Sequence, residues 1–489
     1  MENNNSKPHA ILFALPFQGH VTPSIHLAMK LALNGFTITF VNTEYIHHQI
    51  TKSSQPDSST GVDNGDGGAD NNIFAKARDS GLDIRFTTIT DGFPLDFNRS
   101  LNQLQIMQRN VVGFPAHVDE LVGNLVKSDP SISCLIADTF CTWTSQIAQK
   151  YKIVNISFWT QPALVFNLYY HMELLNTNGY FASHGNLKGT IDYIPGVKAI
   201  EPKDLPSFLQ ENEKKTLEYL DKVFKEVKNA DFIICNTIQE LESDTIFVLR
   251  EKLPIFAIST LVHSPLGFAK SAIPTSMRTE LDCSQWLNTK PQGSVLYVSF
   301  GSTLPSKKSD IEEIAHGLVL SGVNFIWVLR HDALSFEEPY VLPNEIQDEI
   351  KDKGLVVTWV NQIEVLSHPS IGGFLTHCGW NSIIESLHFS GVPLLCFHLR
   401  GDQTTNRKLV VDDWRVGLNL CDRKPLTRLE VAEKIKRLMN TKSEGDELRE
   451  QVIKVRQTVG NALAKCGSCE KNLDQFVADV KVKIGERSI

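Results

Sequence analysis

The chain has 489 residues, of which 42% are hydrophobic and 21% charged, with a formal net charge of −8. That length exceeds one core and divides into two or three domains of ordinary globular composition. The negative balance argues against a nucleic-acid partner, whose backbone is met by cationic patches, and no stretch reaches the roughly 18 apolar residues of a membrane span.

Nine scattered cysteines, an odd number, suit a reducing compartment. Cys466-Gly-Ser-Cys469 has no second pair at zinc spacing, so it carries no metal or redox reading. The opening MENNNSKPH lacks the charged-then-apolar pattern of a secretory signal, so a cytosolic protein is expected.

AILFAL (Ala10–Leu15) reads as a buried strand, then Pro16-Phe-Gln-Gly-His20 as a loop, then a helix from about Thr22 to Leu33. FTITFVN (Phe36–Asn42) follows at β-α-β spacing. A short helical piece around Tyr45–Ile50 leads to residues 53–72, polar and Gly-rich without aromatics, expected as a disordered loop. IRFTTI, a long helix from about Leu101 to Val126, CLIAD (Cys134–Asp138), IVNISFW (Ile153–Trp159), FIICNT (Phe232–Thr237) and PIFAIS continue the alternation. Residues 261–280 lack periodicity and read as a linker. SVLYVSFGS (Ser294–Ser302) opens a second series through NFIWVL, LVVTW, GGFLTH and VPLLCF. Two α/β halves are therefore expected, each a parallel sheet covered by helices. The predicted division is 1–260, 281–470, and a helix within 471–489 packing back across the joint. Neither GxGxxG, GxxxxGK[ST] nor GxSxG occurs, which disfavours dinucleotide, P-loop and serine-hydrolase readings.

The chemistry concentrates between Trp359 and Gln403. IGGFLTH (Ile371–His377) is strand-like, breaks at Cys378-Gly379, and gives way to an amphipathic segment opened by Asn381 and Ser382. A strand, a tight turn and a helix N-terminus form an anion site, and His377, Asn381 and Ser382 suit a diphosphate. Glu385 lies one turn deeper on the same face, where a carboxylate accepts from a sugar diol. Trp359 offers a flat face for a base. Asp402 and Gln403 begin the segment after VPLLCF and suit several hydroxyls. Those groups together describe a nucleotide-sugar site.

The stretch resembles the signature box of the plant family-1 UDP-dependent glycosyltransferases, with HCGWNS (His377–Ser382), Glu385 and the Asp402-Gln403 pair in place. PFQGHVTP around His20, Ala-Asp138-Thr-Phe, PGVKAIEPKDLP (Pro195–Pro206), NTIQELE, Trp286-Leu and SVLYVSFGS stand where the family has similar strings. The resemblance implies the two-Rossmann GT-B fold. It implies uracil stacking on Trp359, a diphosphate held by His377, Asn381 and Ser382, ribose on Glu385, and the donor sugar on Asp402 and Gln403. Val360, Gln362, Trp380 and Ser302 complete the donor set it implies. His20 becomes the expected general base and Asp138 its orienting carboxylate, with no metal or resident cofactor and UDP-glucose as co-substrate. A monomer inverting the anomeric centre is the expected enzyme. Three departures stand out: Asn361 where the family has Pro, Phe397-His398 where it has Trp-Pro, and one surplus residue within Leu387–Ser390.

Read from residues alone, His20 also fits a capping or surface role, and Asp138 a helix cap. Ser302 and His377 would meet the charge of departing UDP without metal. Phe93, Phe140, Trp143, Phe158 and Phe166 are candidates for a hydrophobic acceptor pocket suited to a phenolic or terpenoid, and fit the core equally well. A non-catalytic nucleotide-sugar sensor and an NAD-type oxidoreductase are the rival functions; the missing glycine fingerprint counts against the second.

Overall fold

Apolar runs separated by helical segments build two parallel sheets. The structure, a computed structural model, describes residues 7–54, 73–99, 101–182, 189–261, 278–302, 307–330, 342–421, 425–440 and 444–487. The first sheet contains β1 (His9–Phe13), β2 (Thr37–Thr43), β3 (Ile84–Ile89), β4 (Ile132–Asp138), β5 (Val154–Trp159), β6 (Phe232–Cys235) and β7 (Ile255–Ala257), in the order β3-β2-β1-β4-β5-β6-β7. The second contains β8 (Val295–Ser299), β9 (Asn324–Val328), β10 (Gly354–Val357), β11 (Ile371–Thr376), β12 (Leu394–Cys396) and β13 (Gly417–Asn419), in the order β10-β9-β8-β11-β12-β13. Strands β1, β2, β5, β8 and β11 are buried along their whole length, as helices on both faces of a parallel sheet require. This is the two-Rossmann arrangement expected from the sequence.

In each sheet the strand order reverses once, between β1 and β4 and between β8 and β11. Ligand crevices of doubly wound sheets open at the carboxyl ends of strands beside that reversal. His20 follows β1 and Asp138 ends β4; Ser302 follows β8 and His377 follows β11. Both switch points thus carry the residues singled out from the sequence.

Five helices bear on the site: α1 (Gln18–Leu33), α2 (Trp380–Glu385), α3 (Gln403–Lys408), α4 (Glu444–Leu463) and α5 (Ser468–Arg487). Helix α5 begins before the expected position 471 and lies on the first sheet. Phe476 meets Phe232 and Phe256 edge-on at 5.9 and 5.5 Å, and Arg487 pairs with Asp231 at 2.6 Å. Apolar packing is continuous between the halves: the Trp380 and Trp414 rings lie 6.1 Å apart, and their indole N–H groups donate to the Asn236 and Leu241 carbonyls at 2.6 and 3.2 Å.

Three expectations about elements need correction. The single helix over 101–126 is two, Gln103–Val111 and Phe114–Ser128, because Gly113 takes φ +94° and Pro115 restarts the helix. Helix α1 begins at Gln18, so His20 sits in its first turn and not in a preceding loop: the Phe17 carbonyl already accepts from the N–H groups of His20 and Val21 at 2.9 Å. Strand β13 is a three-residue piece with too little apolar run to show in the sequence. Of the expected loop 53–72, Ser53 and Ser54 end a helix (Glu44–Ser54) and residues 55–72 lie outside the described residues, as do 262–277 of the expected linker.

Candidate active site

His20 and Asp138 come from different strands' ends yet meet directly: His20 Nδ1 lies 2.6 Å from Asp138 Oδ2. Asp138 is 1% exposed, and its Oδ1 accepts from the Phe140 N–H at 3.0 Å. A carboxylate only accepts, so Nδ1 carries the proton and Nε2 keeps a lone pair. Thr160 Oγ1 stands 3.1 Å from the same Nδ1, and the Phe140 ring packs edge-on against the imidazole at 5.9 Å. Burial pulls the His20 pKa down, but the Asp138 charge and hydrogen bond, with the Asp402 charge, outweigh it and leave His20 more basic than usual.

On the second sheet, β11 delivers His377, and Cys378 turns the chain at φ +66°. A left-handed non-glycine residue is strained, a feature that concentrates at functional turns. The His377 ring fills the space between Gly301 and Gly379: a Cβ on either would stand 2.4 Å from Nε2. Burial lowers its pKa to about 4, the Arg330 charge acting the same way, so the ring is neutral at pH 7. Its Nδ1 is fully buried, and a hydrogen bond with the Ser299 backbone works against the lowering without reversing it. Asn381 reaches across to α1, where its Nδ2 donates to the Gly19 carbonyl at 3.0 Å. That carbonyl is free because Pro23, four residues on, has no N–H to give it.

Gln362 organises the deeper part of the site. Its Nε2 donates to Ser382 Oγ at 3.0 Å and Glu385 Oε2 at 2.7 Å, and its Oε1 accepts from the Tyr297 hydroxyl at 3.3 Å. Burial raises the Glu385 pKa to about 7, against the Gln362 hydrogen bond. Trp359 is half-buried with the Arg278 guanidinium 5.6 Å from its ring, while the side chains of Val360 and Trp380 are buried in packing. Ser302 follows Gly301 at the end of β8 and is partly buried. Asp402 Oδ2 accepts from Asn406 Nδ2 at 2.6 Å, and burial raises its pKa to about 6. Gln403 Oε1 accepts from the N–H groups of Leu399 and Arg400 at 2.9 and 3.3 Å.

The two parallel-sheet domains carry an imidazole-carboxylate dyad on one and a strand, tight turn and helix N-terminus on the other. The UDP-glucoronosyl and UDP-glucosyl transferase family model matches residues 268–454. UDP-glycosyltransferase 86A1 of Arabidopsis thaliana is 52% identical, over 98% of this chain and 95% of its own. The chain belongs to the UDP-glycosyltransferase family. The 7-deoxyloganetin glucosyltransferase of Catharanthus roseus is 32% identical over 98% of both chains. The crystal structure of a UDP-glucose: anthocyanidin 3-O-glucosyltransferase in complex with UDP superposes with a TM-score of 0.80, at 26% identity, covering 99% of this chain and all of that one.

This glycosyltransferase absorbs its surplus residue in a π turn, Ser386–Ser390, directly after α2. The Gly391 N–H bonds the Ser386 carbonyl five residues back at 2.9 Å, and Gly391 ends the turn at φ +63°. Arg456 on α4 takes up the adjacent carbonyls, donating to His388 and Phe389 at 3.2 Å each. The bulge lies beyond Glu385, so Asn381, Ser382 and Glu385 keep α-helical spacing. At the other departures, Asn361 caps the helix Gln362–Leu366 by accepting from the Glu364 N–H at 3.2 Å, and Phe397 packs edge-on with Phe300 at 5.7 Å.

Several acceptor candidates are core residues. Trp143, Phe158 and Phe166 are each at most 2% exposed and pack within the first domain, where continuous apolar contact favours them. Phe140 borders His20, and Phe93 stacks on Phe97 at 4.5 Å in a loop pinned by the Arg99–Asp91 pair. Sequence reasoning missed Thr160 beside His20, and Asn406, whose Nδ2 ties Asp402 to the Cys378 carbonyl at 2.9 Å. Asn406 had a signal, four residues after Asp402 on one helix face; Thr160 had none. Cys466 and Cys469 are free, one exposed and one buried. Among the described residues no cluster of His, Cys, Asp or Glu could hold a metal ion, and no helix is long and apolar enough to cross a membrane.

Proposed function

We propose that the enzyme transfers glucose from UDP-glucose to a hydroxyl of a small hydrophobic acceptor, such as a phenolic or terpenoid, with inversion and without metal. The observation that carries this reading is the His20–Asp138 dyad, 2.6 Å across, in which His20 lies on a helix whose Gly19 carbonyl is bonded to Asn381 of the strand–turn–helix proposed to hold the diphosphate. The closeness of His20 to that contact supports a base beside the proposed donor site.

In the proposed reaction His20 Nε2 takes the acceptor O–H proton while the oxygen attacks the anomeric carbon from the face opposite UDP. The bond to the diphosphate oxygen breaks with its electron pair, so an α-linked donor gives a β-glycoside. Asp138 holds the imidazole in the productive tautomer and offsets the imidazolium charge. Neutral His377 and the N–H groups at the start of α2 receive the charge that develops on UDP. Carboxylate Glu385 accepts from the ribose diol, and Asp402 with Gln403 reads the equatorial hydroxyls of glucose, where an epimer would leave buried polar groups unpaired. His20→Ala tests the assignment. We expect turnover to fall about 100-fold or more while UDP affinity is unchanged; near-wild-type turnover would refute it.

A further inference from the structure

Asp402 and Gln403 sit on a turn that is gripped from the other domain. Upstream of them, Gly401 and Ser207 exchange two hydrogen bonds: the Ser207 N–H donates to the Gly401 carbonyl and the Gly401 N–H donates to Ser207 Oγ, each at 2.8 Å. Gly401 stands at φ +74°, so the turn relies on a conformation that only glycine adopts freely. Arg400 pairs with Glu211, Nε to Oε1 at 2.8 Å, with its guanidinium 5.4 Å from the Phe208 ring. Downstream, Thr404 Oγ1 and Thr405 Oγ1 donate to the Leu205 and Asp204 carbonyls, both at 2.7 Å. Arg407 closes the set in a buried ion pair with Asp204.

The two residues assigned to the donor sugar are thus bracketed on both sides by residues 204–211, which belong to the first half of the chain. Trp359, His377 and helix α2, which carries Asn381, Ser382 and Glu385, lie elsewhere in the second sheet's domain. Asn406 links the two groups through Cys378.

We propose that residues 204–211, with Ser207 at the centre, form a positioning element that sets where Asp402 and Gln403 stand relative to His20 and the diphosphate turn. The inference rests on the donor-sugar reading of Asp402 and Gln403. Its mechanical content is that the sugar ring is aligned by the domain that carries the base, while the nucleotide is held by the other. A shift of the turn of about 1 Å would misplace the sugar against His20, an error that costs up to about 100-fold in rate.

Ser207→Ala leaves the Gly401 N–H without its partner and is the direct test; Ser207→Thr keeps the hydroxyl. With the full-length enzyme, we expect Ser207→Ala to lower kcat with UDP-glucose about tenfold or more, and UDP affinity to stay within about twofold, because nucleotide contacts are untouched. Ser207→Thr should recover most of the rate. The acid limb of kcat against pH should also move to lower pH in Ser207→Ala, since displacing the Asp402 charge removes one support of His20 basicity. A merely destabilised protein would not show that shift. Gln403→Ala separates the two hypotheses. If it erases the preference for UDP-glucose over UDP-galactose while Ser207→Ala behaves as wild type, the positioning role is overturned and the donor-sugar reading stands. If neither variant changes rate or preference, both fall. Equal losses of UDP affinity and kcat in Ser207→Ala would also overturn the inference. Should Ser207→Ala fail to fold, Glu211→Gln, at the exposed rim, must show a smaller effect of the same pattern; unchanged kcat there would overturn it.

Discussion

Asp138→Asn isolates the carboxylate's contribution to His20 with little change of volume. An Asn side chain has one acceptor oxygen, whereas Asp138 uses two, one for His20 Nδ1 and one for the Phe140 N–H. If the Asn oxygen stays with Phe140, its NH₂ faces His20 Nδ1 and favours the tautomer that protonates Nε2, the atom needed as base. His26, on the same helix and without a carboxylate, shows the direction: burial, with the Lys30 charge, lowers it to about 4, whereas His20 is raised. Each pH unit of basicity lost is about 1.4 kcal/mol of imidazolium stabilisation, or about tenfold if fully expressed in the transition state. With the tautomer penalty, kcat should drop about 10²- to 10⁴-fold. Steady-state rates with UDP-glucose between about pH 5 and 9 give the assay. The base must be neutral, so wild-type activity is lost as pH falls through the raised His20 pKa, and the variant's acid limb should lie at lower pH. UDP affinity should not change. An acid limb at the wild-type position, with kcat within about tenfold, would refute the role given to Asp138.

Two further outcomes follow from the donor side. Glu385 must be ionised to accept from ribose, and its pKa is raised to about 7, so UDP affinity should rise with pH through 7 and level off above it; calorimetry on wild type and Glu385→Gln checks this, and the variant should bind weakly at every pH. Gly379→Ala would put a Cβ 2.4 Å from His377 Nε2, between a buried ring and the turn backbone, so UDP affinity should fall about tenfold or more with the fold retained, as read by calorimetry and circular dichroism.

The two parallel sheets and the site's elements were legible because strands covered on both faces are continuous apolar runs, and their carboxyl ends are where ligand residues sit. Strand ends singled out His20, Asp138 and His377, with the family resemblance needed to favour catalytic over capping roles for the first two, and helical spacing singled out Asn381, Ser382 and Glu385. Their partners were less visible. Thr160, Ser207 and Asn236 act through contacts far apart in sequence, where no periodicity marks them. Aromatic composition left pocket and core open alike for Trp143, Phe158 and Phe166, and burial places all three in the core. The surplus residue at Leu387–Ser390 could be counted, but its resolution as a π turn held by Arg456 needed the position of α4.

The central claim is metal-independent inverting glucosyl transfer, and one measurement meets it most directly. The purified protein is incubated with UDP-glucose, excess EDTA and a panel of phenols and terpenoid alcohols, and the product's anomeric configuration is read by proton NMR alongside UDP release. The account predicts a β-glucoside formed in step with UDP and unaffected by the chelator. An α-glucoside, or transfer that appears only when Mg²⁺ or Mn²⁺ is restored, would contradict it.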